Sequence, residues 1–175
     1  MDSAKEKRQT LKPAAVITGA TRGVGRALAD EFAKNGHAVM LTGRDEARLA
    51  EVADAIRAAH NVPAYSVGCD LAAQDAGRKI ERALQDQGLY CESLVNNAAM
   101  MTAGHFWEQD PEALVKTIDV NLRATIDLTR RFLPDMIARG AGGVLNVSSV
   151  EGFLPVPYQA TYAATKAALI SWSRA

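Results

Sequence analysis

The stretch that decides the fold is Thr18-Gly19-Ala20-Thr21-Arg22-Gly23-Val24-Gly25. A short apolar run, residues 14–18, leads into it and is typical of a strand buried on both faces of a sheet. Residues 23–35 follow with apolar positions at helical spacing and stop at Gly36. A glycine turn in this context lets the backbone approach a pyrophosphate, and the helix N-terminus offers that anion free N–H groups. We interpret the stretch as the phosphate-binding turn of a dinucleotide site.

The alternation of strand and helix continues along the whole chain. Further strands are predicted at residues 38–42, 64–67, 94–96 and 144–147. Further helices are predicted to begin at Asp45, Asp75, Asp110 and near Tyr158. The helix after Asp110 is expected to run to about residue 138 with a kink at Pro134.

Such alternation predicts an α/β fold, a doubly wound parallel sheet with helices on both faces. In the dinucleotide-binding form of that fold, five strands take the order 3-2-1-4-5 and a sixth follows. We expect one domain over residues 13–175, preceded by a flexible tail over residues 1–12.

Composition excludes several classes of protein. The 20 basic and 20 acidic residues of the 175-residue chain cancel, so no strong field favours nucleic acid or an anionic membrane. No apolar run approaches the ~18 residues of a membrane span, and the charged N-terminus lacks the apolar core of a signal peptide. Two cysteines, Cys69 and Cys91, fit a reducing compartment. We expect a cytoplasmic protein without a nucleic-acid partner, a membrane partner or a metal site.

The residues after the second strand bear on which dinucleotide binds. An NAD site usually presents a carboxylate there to the adenosine ribose, but this chain has Gly43 and then Arg44. Two guanidiniums, Arg22 and Arg44, could grip a 2′-phosphate. In the alternative, Arg44 is solvated and Asp45 accepts from the ribose. We predict NADP in preference to NAD.

An acid–base pair is predicted near the C-terminus. Tyr162 and Lys166 lie one helical turn apart on one face of a predicted helix. An ammonium ~4 Å from a phenol, at an effective dielectric of ~20, favours the phenolate by ~4 kcal/mol, which suits the phenol to acid–base work near neutral pH. The same spacing also occurs on ordinary solvated helix faces. Ser149 follows the fifth strand at the rim where the glycine turn lies, and this convergence favours a site.

Together these motifs resemble those of the short-chain dehydrogenase/reductase family, from about Ala14 to the end of the chain. The matching features, in the family's order, are the glycine turn, Asn96-Asn97-Ala98-Ala99, Asn121, Ser149 and Tyr162-x-x-x-Lys166. The resemblance implies a Rossmann-type fold and reversible hydride transfer between NAD(P) and a small-molecule carbonyl or alcohol. For a full-length member it also implies a homodimer or homotetramer.

The resemblance implies a role for each catalytic residue. Tyr162 would protonate the carbonyl oxygen or deprotonate the alcohol, and Ser149 would hydrogen-bond that oxygen. Lys166 would hold the nicotinamide ribose. Asn121 would position a proton-carrying water, although ordinary packing would also account for it.

The resemblance also implies a cofactor-binding set. Asp70 and Leu71 would contact adenine, although Asp70 could instead be a plain helix cap. Ala99 stands where the family usually has glycine, so we expect a small backbone difference there. Ser148 is interpreted as structural. The full implied set is Gly19, Thr21, Arg22, Gly23, Val24, Gly25, Arg44, Asp70, Leu71, Asn97, Ala98, Tyr162 and Lys166.

Family members continue with a sixth and a seventh strand that this sequence does not contain. The last predicted helix reaches Ala175 without a stop signal, so the sequence is interpreted as a C-terminally truncated member. The alternative function is a non-catalytic dinucleotide-binding module or an inactive fragment. Ser149, Tyr162 and Lys166 argue against that alternative, because a binding module has no need of them.

Overall fold

A computed structural model describes residues 10–175 of the chain. Five parallel strands form one sheet in the order β3-β2-β1-β4-β5, as predicted. The strands are β1 Lys12–Thr18, β2 Ala38–Gly43, β3 Ala64–Gly68, β4 Leu89–Asn96 and β5 Gly143–Asn146. Because β1 begins at Lys12, the predicted tail extends one residue too far. Residues 1–9 of that tail lie outside the described residues.

Six α-helices connect and flank the strands in the described part of the chain. They are α1 Gly23–Lys34, α2 Glu46–His60, α3 Ala76–Asp86, α4 Pro111–Ile118, α5 Ala124–Arg139 and α6 Ala160–Arg174. At two of the predicted helix starts the aspartate side chain caps the helix: Asp45 accepts from the Arg48 N–H, and Asp110 accepts from the Glu112 N–H. None of the described helices has the length and apolarity that a membrane span requires.

The central strands β1 and β2 are buried on both faces because they are apolar at successive positions, whereas the outer strands β3 and β5 are partly exposed. Ala14 and Val16 of β1 belong to a core cluster with α3 and α5, while Ala15 and Ile17 belong to a cluster with α1 and α2. Alternate residues of a strand point to opposite faces, so a continuous apolar run serves two layers. Because all the strands of the sheet are parallel, their carboxyl ends lie at one rim.

Several predicted element boundaries are wrong: β1 begins at Lys12 and not at residue 14, and β5 runs over Gly143–Asn146 and not residues 144–147. Strand β4 begins at Leu89 and not at residue 94. The predicted start was too late because Glu92 and Ser93 interrupt the apolar pattern within the strand. Helix α6 begins at Ala160 and not near Tyr158, whose φ of 70° lies in the left-handed region. Pro134 lies inside α5, and the kink expected there stays a prediction.

The long helix predicted after Asp110 is interrupted. A π-helical segment, Asp119–Arg123, separates α4 from α5. Burial near the interruption does not follow the apolar residues of the sequence: Ile118 is 45% exposed, while the polar Thr117 and Asn121 are buried. A π turn holds more residues than an α turn, so it rotates the side chains that follow relative to those before it.

Candidate cofactor and catalytic site

The glycine turn is fastened to the turn that follows β4. The Thr18 hydroxyl accepts hydrogen bonds from the Asn97 and Ala98 N–H groups, both at 2.9 Å, and donates to the Val95 carbonyl at 3.2 Å. Asn97 Nδ2 donates to the Thr18 carbonyl at 2.8 Å. Thr18 is buried, and this network holds the carboxyl ends of β1 and β4 at a fixed separation.

Glycine is required in the turn for conformation and for space. Gly19 and Gly23 have φ of 67° and 58°, in the region that residues with a Cβ rarely adopt. A Cβ on Gly25 would lie 2.3 Å from the Gly19 carbonyl oxygen and 2.3 Å from Asn97 Nδ2. The first turn of α1 therefore packs directly on the glycine turn, as a phosphate-binding turn requires.

The N-terminus of α1 suits an anion. Arg22 occupies the N-cap position without a side-chain capping bond, and the first turn contains no acidic residue. The first N–H groups of a helix have no intrahelical partner, and the helix dipole favours negative charge at this end. The backbone here can therefore receive a phosphate.

A cavity of about 400 Å³ opens at this helix end. Eleven of the predicted cofactor-binding residues line it: Gly19, Thr21, Arg22, Gly23, Val24, Gly25, Arg44, Asp70, Leu71, Asn97 and Ala98. Ala99, which stands where the family usually has glycine, also lines it, as do residues that sequence reasoning missed: Gly43, Cys69, Met100, Lys116 and Val120. Tyr162 and Lys166 do not line this cavity.

Asp70 is held ionised at the cavity wall. Lys116 Nζ lies 2.8 Å from Asp70 Oδ2, and the Ala72 N–H donates to Asp70 Oδ1 at 3.0 Å. The hydrogen bond from Lys116 is the main cause that lowers the pKa of the Asp70 carboxyl. Asp70 caps a turn and not a helix, since Asp75 stands at the N-cap position of α3. Local sequence signals could not identify Lys116, which lies 46 positions from its partner.

A second, adjoining cavity of about 690 Å³ is basic. Its lining residues are Thr21, Arg22, Arg44, Asp45 and Arg48. Arg48 pairs with Glu51, whereas Arg22 and Arg44 form no ion pair with the described residues. Asp45 Oδ1 is engaged at 2.9 Å by the Arg48 N–H.

Lys166 is buried, with 3% of its surface exposed, beside the end of β5. Its Nζ donates to the Val147 carbonyl at 2.8 Å and lies 5.7 Å from the centre of the Tyr162 ring. Burial disfavours the ammonium and lowers the pKa of Lys166. Ser148 is structural, as predicted, because its hydroxyl donates to the Lys166 carbonyl at 3.1 Å.

Ser149 is half-buried at the start of a short 3₁₀ turn, Val150–Gly152. Its hydroxyl oxygen accepts from the Glu151 N–H at 3.2 Å. That bond uses a lone pair and leaves the hydroxyl proton free to donate. Ser149 can therefore offer a hydrogen bond to an oxygen placed before it.

Asn121 is buried within the π-helical segment. Its Oδ1 accepts from the Met100 N–H at 2.7 Å, and its Nδ2 donates to the Met100 carbonyl at 2.9 Å and to the Thr165 hydroxyl at 3.0 Å. The side chain thus joins the cavity wall at Met100 to the helix that carries Lys166. Its predicted role in positioning a water stays a prediction.

The aromatic residues after β4 pack on each other. The His105 and Trp107 rings stack with centres 4.7 Å apart, and the Tyr158 ring meets His105 edge-on at 5.1 Å. The Gly104 N–H donates to the Tyr158 carbonyl at 3.0 Å. These contacts show that His105 and Trp107 pack within the loop that follows β4.

Comparison with known proteins gives consistent matches. The model of the family described as "short chain dehydrogenase" matches residues 13–175. The chain is 36% identical over 164 residues to very-long-chain 3-oxoacyl-CoA reductase-B of Danio rerio. The matched region covers 91% of this chain and 52% of that protein. It is 34% identical to an uncharacterized oxidoreductase of Staphylococcus saprophyticus, over 90% of this chain and 67% of that one.

Two solved structures share the fold closely. L-sorbose reductase from Gluconobacter frateurii, complexed with NADPH and L-sorbose, has a TM-score of 0.87 and 30% identity over 94% of this chain and 62% of that one. A short-chain dehydrogenase from Sphingobium yanoikuyae in complex with NADPH has a TM-score of 0.85 and 32% identity over 93% and 63%. The chain spans about half the length of the vertebrate reductases that it matches.

Proposed function

Because the chain belongs to the short-chain dehydrogenase family, we propose that it transfers a hydride between NADP(H) and a small-molecule carbonyl or secondary alcohol. The observation that carries this proposal is the cavity at the N-terminus of α1. Its glycine turn, its uncapped helix and its basic neighbour together fit a dinucleotide that bears several phosphates.

The choice of NADP over NAD rests on charge. Arg22 and Arg44 form no ion pair with residues 10–175, so both guanidiniums are available to a 2′-phosphate. Asp45, the alternative ribose acceptor, already uses one carboxylate oxygen to cap α2. Two solved relatives of the same fold are complexes with NADPH, which supports the same choice.

The cofactor would lie with its pyrophosphate on Gly19, Gly23 and the first turn of α1, and its adenosine would lie near Asp70 and Leu71. When bound, it supplies or accepts the hydride. Lys166, buried and bonded once to Val147, keeps two further N–H donors for the nicotinamide ribose hydroxyls. Burial also restricts its ammonium to one position, which favours a defined contact.

The proton chemistry falls to Ser149 and Tyr162. The Ser149 hydroxyl donates to the substrate oxygen, since its own oxygen already accepts from Glu151. The Tyr162 phenol gives its proton to the same oxygen as the carbonyl is reduced, and in the reverse direction the phenolate takes that proton back. Asn121 holds Thr165, the neighbour of Lys166, and so fixes the start of α6 against the cavity wall.

A substitution that separates binding from turnover tests the proposal. In Tyr162→Phe, NADPH affinity should fall by no more than about tenfold, the cost of one neutral hydrogen bond, whereas ketone reduction should fall by about 10² to 10⁴, the range that general acid catalysis contributes. Tyr158→Phe is the matched control, because Tyr158 lies just before α6 and is exposed. It should leave both quantities unchanged.

The outcomes of this experiment are distinct. Unchanged turnover in Tyr162→Phe would remove Tyr162 from the mechanism. A parent chain that binds NADPH without transferring a hydride to any of a panel of ketones would point to the non-catalytic alternative. The cytoplasmic location, the self-association and the lack of a nucleic-acid or membrane partner stay predictions.

A further inference from the structure

The π-helical segment between α4 and α5 bonds in two directions. On one side, Asn121 holds Met100 and Thr165. On the other side, Arg123 reaches the turn that follows β3. Segments of this kind occur frequently at functional sites. The second set of bonds has no part in the chemistry described above, yet it ends at the wall of the cofactor cavity.

Arg123 makes three directed hydrogen bonds. Its Nη2 donates to the Leu71 carbonyl at 3.1 Å and to the Ala72 carbonyl at 2.8 Å. Its Nε donates to Asp119 Oδ1 at 2.7 Å, which anchors the guanidinium to the π segment. Leu71 and Ala72 lie outside every helix and strand. A side chain 52 and 51 positions away therefore holds carbonyls that no regular element satisfies.

The turn held by Arg123 carries the residues of the proposed adenosine site. Asp70 and Leu71 both line the cavity. Ala72 is held from both sides: its carbonyl accepts from Arg123, and its N–H donates to the Asp70 carboxylate. Lys116, on the helix before the π segment, pairs with the other Asp70 oxygen. Helix α4 and the π segment that continues it thus hold this turn together: Arg123 bonds to its backbone, and Lys116 pairs with its carboxylate.

We infer that Arg123 is a positioning residue for the adenosine end of the cofactor site, acting through Asp70 and Leu71. This inference rests on the proposed function, which places adenosine at that turn. Without Arg123, the turn would have to be ordered when the cofactor binds, and that ordering would weaken binding. A lysine cannot replace Arg123. The planar guanidinium donates from two different nitrogens to Leu71, Ala72 and Asp119 at once, and a single ammonium nitrogen cannot reach all three acceptors.

The test measures adenosine-end affinity directly. Adenosine 2′,5′-bisphosphate contains the adenosine and its 2′-phosphate but lacks the nicotinamide half. In Arg123→Met its Kd should rise about tenfold, which corresponds to about 1.4 kcal/mol. The KM for NADPH should rise similarly, while kcat at saturating NADPH should stay within about twofold, because the residues that contact the reacting atoms are untouched.

Arg139→Met is the matched control. Arg123 ends the π segment and pairs with Asp119, whereas Arg139 ends α5 and pairs with the carboxylate four positions earlier, Asp135, at 2.8 Å. It lines a different groove, near the start of β4. Any effect that comes only from losing a helical arginine–aspartate pair should therefore appear in Arg139→Met as well. The change in adenosine 2′,5′-bisphosphate affinity should appear in Arg123→Met and not in Arg139→Met.

Each outcome bears on one claim. If the parent chain binds neither NADPH nor adenosine 2′,5′-bisphosphate, the proposed function fails. If the parent chain binds both and Arg123→Met binds them equally well, only the inference on Arg123 fails. A fall in kcat as large as the rise in KM would also overturn it. If Arg123→Met does not fold, Arg123→Lys replaces it with the same expected direction, and parental affinity in that variant would overturn the need for a guanidinium.

Discussion

Substitution of Gly25 should separate the space requirement of the glycine turn from its backbone requirement. An added Cβ would lie 2.3 Å from the Gly19 carbonyl oxygen and 2.3 Å from Asn97 Nδ2. The carbonyl belongs to the backbone of the turn, and Asn97 is held by Thr18, so neither can move without breaking a contact. Overpacking and loss of the Asn97 bond, partly offset by the better helix propensity of alanine, should cost Gly25→Ala about 3 kcal/mol.

Two other glycines supply graded controls. Gly23 has φ of 58° but open space where a Cβ would lie, so Gly23→Ala should cost only the left-handed conformation, about 1 to 2 kcal/mol. Gly143, in β5, has neither a positive φ nor a neighbour within 4 Å of an added Cβ. Gly143→Ala should therefore change stability by less than about 0.5 kcal/mol.

The assay is urea unfolding followed by far-UV circular dichroism, with NADPH titration of each folded variant. We expect stability to decrease in the order Gly143→Ala, Gly23→Ala, Gly25→Ala, and NADPH affinity to fall at least tenfold in Gly25→Ala because the turn must shift away from the phosphate site. If Gly25→Ala unfolds at the same urea concentration as Gly143→Ala, then α1 does not pack on the turn in the way described.

Three further substitutions are informative. Arg44→Ala should weaken NADPH binding about tenfold and NADH binding hardly at all, since it removes a charge-assisted bond to the 2′-phosphate; an unchanged affinity ratio would exclude Arg44. Burial lowers the pKa of Lys166 from 10.5, so just below that pH the unfolded chain binds more protons than the folded chain. The free energy of unfolding of the parent, relative to that of Lys166→Met, should therefore rise with pH in urea titrations. A decrease with pH would contradict the burial of Lys166. Thr18→Val leaves the Asn97 and Ala98 N–H groups unpaired and should cost about 2 kcal/mol, so a melting temperature equal to that of the parent would show that the network contributes nothing.

Local signals allowed the phosphate turn to be predicted, and the strand order followed from the dinucleotide-binding fold that the turn and the alternation of elements indicate. The turn could be identified because its neighbours on both sides, a buried strand and a helix, have clear periodicities. The Asp45 cap follows from the same kind of short-range preference. The cavity that gathers the cofactor residues follows from these elements, since parallel strands bring their carboxyl ends to one rim.

Features that depend on distant partners could not be predicted. The start of β4 was missed because Glu92 and Ser93 give no apolar signal, although the strand pairs with β1 from Leu89 onward. The π segment was missed because the contacts that stabilise it are made to distant parts of the chain. Asn121 bonds to Met100 and Thr165, and Arg123 bonds to the turn after β3. Tertiary contacts of this kind leave no periodic mark on the sequence.

The structure also weighs on the choice that the sequence left open between Arg44 and Asp45. Asp45 Oδ1 is engaged in capping α2, so the carboxylate offers a ribose diol fewer free acceptor sites than an uncommitted one would. Arg44 and Arg22 line both cavities, and the Arg48 charge beside them is neutralised by Glu51. A free ribose hydroxyl would leave the two remaining guanidiniums without an anion, whereas a 2′-phosphate would supply one to both. The charge arrangement therefore favours NADP for reasons that are independent of the relatives with bound NADPH.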